Sequence, residues 1–382
     1  MNQTNKDNLN YILFLLLILF PNMQTTSFLS LYIINIVLLP LVCLTIITIN
    51  KKINIKLIII IIISVALMNI STILELGNGN YNNDATTIIY KKIALISYWA
   101  ILCSLGVSII SELTPRKITS AIKITILIMS TYLIMQMISY HFLDYSLDFS
   151  LLTGGINSRS YFGTYRPSGF LPEPAVYSGH MIALLALYFT YNKKIDIPVV
   201  IGIISILLSQ STVGIILTLL MIICILSQYF LSKKNSILIL IPLIITIYFI
   251  YPKLLDRYYS LLSGTDTSNN LKLTGLQHFY YTDTFFTGFG VIAKDHSSLP
   301  AYYEAIKDYT LFGNILTIYG VLIGTIILIL LFYLIIRSKI SFLNKIILSI
   351  PFIKLCSPSY SFFFIYFGIY IILLSSKKNK NI

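Results

Sequence analysis

The sequence predicts an all-α, polytopic integral membrane protein of about twelve transmembrane helices with two long extracytoplasmic loops. Three observations lead there. The 382 residues are 57% hydrophobic and only 11% charged, where a soluble domain is about 25% charged. Apolar runs near 20 residues long recur from end to end, each able to cross about 30 Å of hydrocarbon, so a single N-terminal targeting segment does not explain them. The basic residues, finally, recur at alternate linkers.

The spans fall roughly at 9–22, 28–49, 57–71, 93–110, 123–140, 174–190, 198–211, 214–231, 236–251, 311–335, 341–355 and 361–375. Lys51, Lys52 and Lys56 follow the second. Arg116, Lys117 and Lys123 follow the fourth, Lys193 and Lys194 the sixth, and Lys233 and Lys234 the eighth. Arg337 and Lys339 follow the tenth, and Lys377, Lys378 and Lys380 the last. Basic linkers stay in the cytoplasm, so both termini are expected there. Lys91 and Lys92 break the pattern on the outer side, where snorkelling tolerates them. The formal charge of +13 would suggest nucleic acid in a soluble protein. Here it reads as membrane orientation, and no nucleic-acid partner is expected.

The whole chain, 1–382, reads as one membrane domain in which the alternation leaves 141–173 and 252–310 outside. Both are too long for ordinary connections. No internal repeat is visible, so inverted-repeat transporter architecture gains no support. Ser209–Gly214 divides two short runs, either as a tight outer turn or as the unwound middle of a bent pair. Cys43, Cys103, Cys224 and Cys356 stand alone without metal-site spacing and read as structural thiols.

The richest polar stretch is Tyr161–Pro174, at the mouth of the sixth span. Arg166 is a fixed-charge fork suited to phosphate or pyrophosphate oxygens. Glu173 precedes Pro174, which suits the first helical position, so the carboxylate sits near a helix N-cap. Gly169 permits close backbone approach. Bland readings stand beside these: Arg166 as a headgroup anchor and Glu173 as a capping charge. His180 falls at membrane depth, where an ionisable group is either functional or a hydrogen-bonded packing residue. In the second loop Arg257 follows Asp256, and His278 precedes Phe279, Tyr280 and Tyr281. His278 has the chemistry of a general base, and equally that of a solvated loop histidine. Asp283 with Gly288-Phe-Gly290 reads as a tight turn. No metal signature is present and no cofactor is expected.

Tyr165-Arg-Pro-Ser-Gly-Phe-Leu-Pro-Glu-Pro-Ala-Val-Tyr-Ser-Gly179 resembles the "Arg, Gly-Phe, Glu-Pro" stretch of the Wzy-type O-antigen and capsular polysaccharide polymerases. Arg166, Gly169-Phe170 and Glu173-Pro174 carry the likeness. Asp266, Ser268, Phe286–Gly290 and Ser209–Gly214 add to it. The resemblance implies a bacterial inner-membrane enzyme of the multi-pass, lipid-linked glycosyltransferase kind. It would act at the outer leaflet on undecaprenyl-pyrophosphate-linked glycans, among membrane lipids and with a chain-length regulator protein as partner. Arg166, Glu173 and His278 would be its catalytic residues, with Glu173 or His278 as base. Tyr165, Gly169, His180, Arg257, Lys272 and Tyr281 would contact substrate, and arginines would do the electrostatic work without a metal. One departure is clear: the family often has an arginine where this chain has Lys272 or His278. The related O-antigen ligases usually carry a histidine in this loop, which makes a ligase the nearest alternative. A lipid-linked-oligosaccharide flippase is the rival of another class.

Overall fold

The computed structural model describes residues 3–25, 29–50, 53–78, 81–149, 160–161, 164–230, 251–252, 255–256, 259–260, 262–264, 267–292, 299–306 and 308–375. Helices occupy the apolar runs. α1 (Gln3–Leu19) precedes a π-helix (Leu29–Leu38) that runs straight into α2 (Leu39–Asn50). α3 (Ile55–Asn78), α4 (Asn83–Gly106) and α5 (Pro115–Leu143) follow. A two-residue antiparallel ladder pairs β1 (Ser160–Tyr161) with β2 (Thr164–Tyr165). Then come α6 (Pro174–Asn192), α7 (Ile197–Leu208) and α8 (Thr212–Phe230). The second long segment contains α9 (Thr267–Tyr281), α10 (Thr284–Thr287) and α11 (Tyr303–Ile306). α12 (Leu311–Arg337), α13 (Phe342–Ser349, extended by a 3-10 turn over Ile350–Ile353) and α14 (Ser361–Ser375) complete the order.

Among the described residues five helices are long and apolar enough to cross a membrane: Leu29–Asn50, Ile55–Asn78, Asn83–Glu112, Pro115–Leu143 and Leu311–Arg337. Shorter helices occupy most of the remaining expected spans, and 236–251 lies almost wholly outside the described residues. Two helices are buried nearly all round, α6 and α14. A helix apolar on every face belongs in the core of an assembly. α6 packs against α5, α7, α8 and α13, and α14 packs against α4, α12 and α3.

Polar side chains inside this framework are spent in pairs. Asn10 and Asn50 exchange amide hydrogen bonds at 3.2 and 3.1 Å, joining α1 to α2. The Gln24 side chain donates to Ser359 O (2.9 Å) and accepts from Ser361 N (3.1 Å), fixing the start of α14. Trp99 Nε1 donates to Asn35 O (3.1 Å) and Tyr98 Oη to Ile36 O (2.9 Å), so aromatic donors of α4 take two carbonyls of the π-helix.

Sequence hydropathy underestimates α3 and α4. Expected at 57–71 and 93–110, they run to Asn78 and start at Asn83. Their added turns carry polar residues that a hydropathy count excludes. Asn82 caps α4 by accepting from Ala85 N at 2.8 Å, and Ala85 and Ile89 bury against Phe279, Phe289, Leu299 and Tyr303 of the second loop.

The Gly288-Phe-Gly290 turn has a larger role than the sequence suggests. α12 is broken at Gly320 (φ +74°, ψ +169°), which releases carbonyls from the helical ladder. Phe289 N donates to Thr317 O (2.7 Å) and Gly290 N to Ile318 O (3.0 Å). On the other side Val291 N donates to Thr72 Oγ1 of α3 (3.0 Å). The segment therefore threads between α3 and the break in α12. A Cβ at Gly290 would run into the Thr72 backbone, and one at Gly320 into the Phe286 carbonyl.

Gly320→Ala is expected to destabilise the protein, since this backbone region costs a side chain on the order of 1–3 kcal/mol before any clash. Gly77→Ala, where an added Cβ meets nothing within 4 Å, is the control and should be neutral. Thermal unfolding of both variants in detergent checks this; equal melting temperatures would contradict the threaded arrangement.

Candidate functional site

The rim Tyr165–Glu173 is held by one stripe of α5. Tyr132, Gln136 and Tyr140 recur every four residues and so share a face. Tyr132 stacks on Phe170 with centroids 4.2 Å apart, and Phe149 meets Phe170 edge-on at 4.9 Å. Tyr140 stacks on Tyr165 at 4.3 Å. Between them Gln136 Oε1 accepts from Gly169 N (2.8 Å) and Gln136 Nε2 donates to Gly169 O (3.4 Å). Gly169 has φ +61° and a Cβ there would press on the Tyr177 ring at 3.0 Å. The chain is thereby folded flat onto α5 before it enters α6.

Arg166 lies partly buried within this rim, between buried Tyr165 and Pro167. Glu173 is the N-cap residue of α6, with Pro174 in the first turn, as the sequence suggests. Its backbone carbonyl accepts from Tyr177 N (2.9 Å), while its side chain makes no capping hydrogen bond. Below it Tyr177 Oη donates to Ser205 Oγ (2.8 Å), and Ser178 Oγ lies 3.1 Å from Ser209 Oγ. These contacts tie the first turn of α6 to α7. The Ser209–Gly214 stretch is the tight turn of the two sequence readings, with Gln210 at φ +53°.

His180 is 1% exposed. Asn22 Nδ2 donates to Ile18 O (2.8 Å), which leaves Asn22 Oδ1 as acceptor for His180 Nδ1 at 3.0 Å. That tautomer puts the lone pair on Nε2, which has no hydrogen-bond partner among the described residues. The ring packs edge-on to Tyr360 and tilted against Phe362. His180 is thus a hydrogen-bonded interior histidine beneath the rim.

The second-loop residues occupy a separate aromatic group. His278 stacks on Tyr302 at 4.8 Å and on Phe289 at 5.8 Å. Tyr280 and Tyr281 are exposed. Arg257 and Asp266 lie outside the described residues, and Tyr161 is described in its backbone alone.

Sequence reasoning missed the residues that connect the two parts. Lys354, 9% exposed at its side chain, lays its stem across Gly179 of α6, whose ideal Cβ would be 3.2 Å from Lys354 Cγ. Its ammonium pairs with Asp308, and Asp308 Oδ2 also pairs with Lys272 Nζ of α9 at 3.2 Å. Lys272 is therefore an ionic partner of Asp308, a role the sequence did not indicate. Burial alone would raise the Asp308 carboxyl, but the ammonium groups of Lys354 and Lys272 outweigh it and hold it below its ordinary 3.8. A buried acidic side chain, Glu75 (5% exposed), accepts at Oε1 from Tyr303 Oη (2.6 Å) and Tyr81 Oη (2.9 Å). Burial pushes both phenols upward, so they remain protonated donors at neutral pH. A charge inside an apolar run was the available signal for Lys354.

Among the described residues no group of three metal-ligating side chains occurs. Comparison of the chain with protein-family models, with curated proteins and with solved structures finds no match.

Asp308→Asn should loosen the docking of α9 by about 1–3 kcal/mol, between the values for exposed and buried ion pairs. Because the folded carboxyl is held below 3.8, its contribution is full above that pH and is lost as pH falls through the lower folded value. Chymotrypsin cleavage after the exposed Tyr280 and Tyr281 reads the loosening. It should rise in the variant at neutral pH and stay flat in the parent down to mild acid.

Proposed function

We propose that this protein is a bacterial inner-membrane glycan polymerase using lipid-pyrophosphate-linked oligosaccharides at the outer leaflet, with about twelve spans and both termini cytoplasmic. The observation that carries the reading is the contact chain Gly179–Lys354–Asp308–Lys272. It links the base of the Arg166–Glu173 rim to α9, the helix that bears His278. That chain brings the helix that follows the rim into contact with the helix that bears His278, and the two segments together carry a guanidinium, two ammoniums, carboxylates and an imidazole. Such a set suits a pyrophosphate leaving group and a proton transfer.

In this reading a terminal sugar hydroxyl of one repeat unit attacks the anomeric carbon of the growing chain. The bond from that carbon to the pyrophosphate oxygen breaks, and undecaprenyl pyrophosphate departs. Arg166 takes the charge that develops on the leaving oxygens. Glu173 or His278 accepts the hydroxyl proton. Tyr165 and the exposed rings of Tyr280 and Tyr281 offer faces for sugars. Gly169 keeps the rim backbone close to the ligand. The flat clamp on α5 serves catalysis by holding Arg166 at fixed geometry, since misplacement by an ångström is costly in rate.

Arg166→Lys should lower turnover at least about tenfold, because a point ammonium does not reproduce a planar two-point grip. Glycan length on gels, normalised to membrane abundance of the protein, checks this. Normal polymer from the variant would make Arg166 a headgroup anchor.

Loss of the protein from its cells should leave lipid-linked or surface glycan as single repeat units. Sugar analysis of the carrier-linked pool reads the outcome. Long polymer retained on the carrier would replace the polymerase reading with a ligase, and units trapped on the cytoplasmic side would replace it with a flippase.

A further inference from the structure

α9 turns one side to the core of the second loop and the other outward. Gly275 and Phe279 are buried, and Phe279 packs against Phe285 and Phe289. Leu273, Leu276 and Tyr280 are exposed. At about 100° of helix per residue these three fall within an arc of about 60°, so they form one apolar edge. Thr274, Gln277 and Tyr281 are exposed beside them and form an adjoining, more polar edge. Lys272, on the opposite flank, pairs with Asp308 at 3.2 Å.

The apolar edge continues beyond α9. The Tyr280 ring centroid lies 5.3 Å from that of Phe285, and Phe285 lies 5.2 Å from Phe286. Phe286 is exposed and belongs to α10, which packs against α12 and α3. Its backbone carbonyl abuts Gly320 of α12. Two residues on, Leu322 begins an exposed stripe that runs through Ile326, Ile329 and Tyr333. In a helix that crosses a bilayer such a stripe faces lipid. One apolar surface therefore leads from α12 through Phe286 to α9.

We propose that α9 rests on the bilayer surface, with Leu273, Leu276, Tyr280 and Phe286 in the headgroup layer and Thr274, Gln277 and Tyr281 toward water. Continuity with the α12 stripe selects a lipid surface over a protein partner. The chemistry of the edge agrees, since leucines flanked by aromatic rings are what an interfacial helix presents to lipid. An apolar surface of this extent marks an interaction site when it is left outside the core. The proposal stands whether or not the chain is a polymerase.

Tryptophan fluorescence of the full chain in phosphatidylcholine nanodiscs tests it. Trp99 is the only tryptophan in the sequence, and being buried it gives a constant background. Leu273→Trp and Leu276→Trp probe the apolar edge, Gln277→Trp the polar edge and Ile329→Trp the α12 stripe. All four positions are on the surface or half-exposed, so the ring enters without repacking the core. Phosphatidylcholine brominated near the top of its acyl chains quenches from the membrane, and iodide quenches from water. Both apolar-edge variants should be quenched by the brominated lipid at least half as strongly as Ile329→Trp, and by iodide less than half as strongly as Gln277→Trp. Failure at either position overturns the proposal: strong iodide quenching there would put the edge in water, and shielding from both quenchers would put it under protein.

Discussion

The second long loop of this protein depends on one backbone repair. Where α12 breaks at Gly320, the carbonyls of Thr317 and Ile318 are taken by the N–H groups of Phe289 and Gly290. In an apolar setting unpaired backbone groups are expensive, and an interrupted helix persists only where protein fills the gap. The dependence runs both ways. The break exists because the second loop fills it, and the loop has a defined path because the break receives it. Phe289, placed in this way, becomes the centre against which His278, Phe279, Tyr302 and Tyr303 pack.

The two halves of the candidate site are then secured by different physics. The rim is flattened onto α5 by stacked rings and one amide pair, contacts that need no charge and little reach. The second loop is fastened by charge, through Asp308 between two lysines, and by the hydrogen bonds of two phenols to Glu75. Stacked neutral groups keep their geometry across pH and salt, whereas charged links answer to both.

Much of the helical framework was legible in the sequence, because hydrocarbon-length apolar runs admit few other structures. Helix ends were less so. Glu75, Asn82 and Asp84 look like linker when read for hydropathy, yet they lie at helix ends that the second loop covers. The rim was legible because Arg166, Gly169 and Glu173 are close in sequence. Its connection to α9 was not, since Asp308 pairs with residues 36 positions before it and 46 after it, and no local pattern announces such a meeting. Lys354 was hidden by its own surroundings, being one of two lysines, with Lys345, inside a run read as a span. His180 reads as equally functional and structural in the sequence, and its partner, the side chain of Asn22, stands 158 residues away where no local pattern shows it.

α14 sits among helices that all precede it in the chain. Phe362, Ile365, Tyr366 and Ile369 are buried, Tyr366 Oη reaches back to Leu348 O (2.7 Å), and Gln24 waits for Ser359 and Ser361 near the far end of the sequence. During synthesis α3, α4 and α12 leave the ribosome without the post they pack around. They must lie in the bilayer as a loose ring, with the Gln24 amide and Asn35 Oδ1 unmet, until α14 arrives and is admitted between them. Assembly therefore closes from the inside, and a ribosome that stalls before residue 361 leaves a ring without its centre.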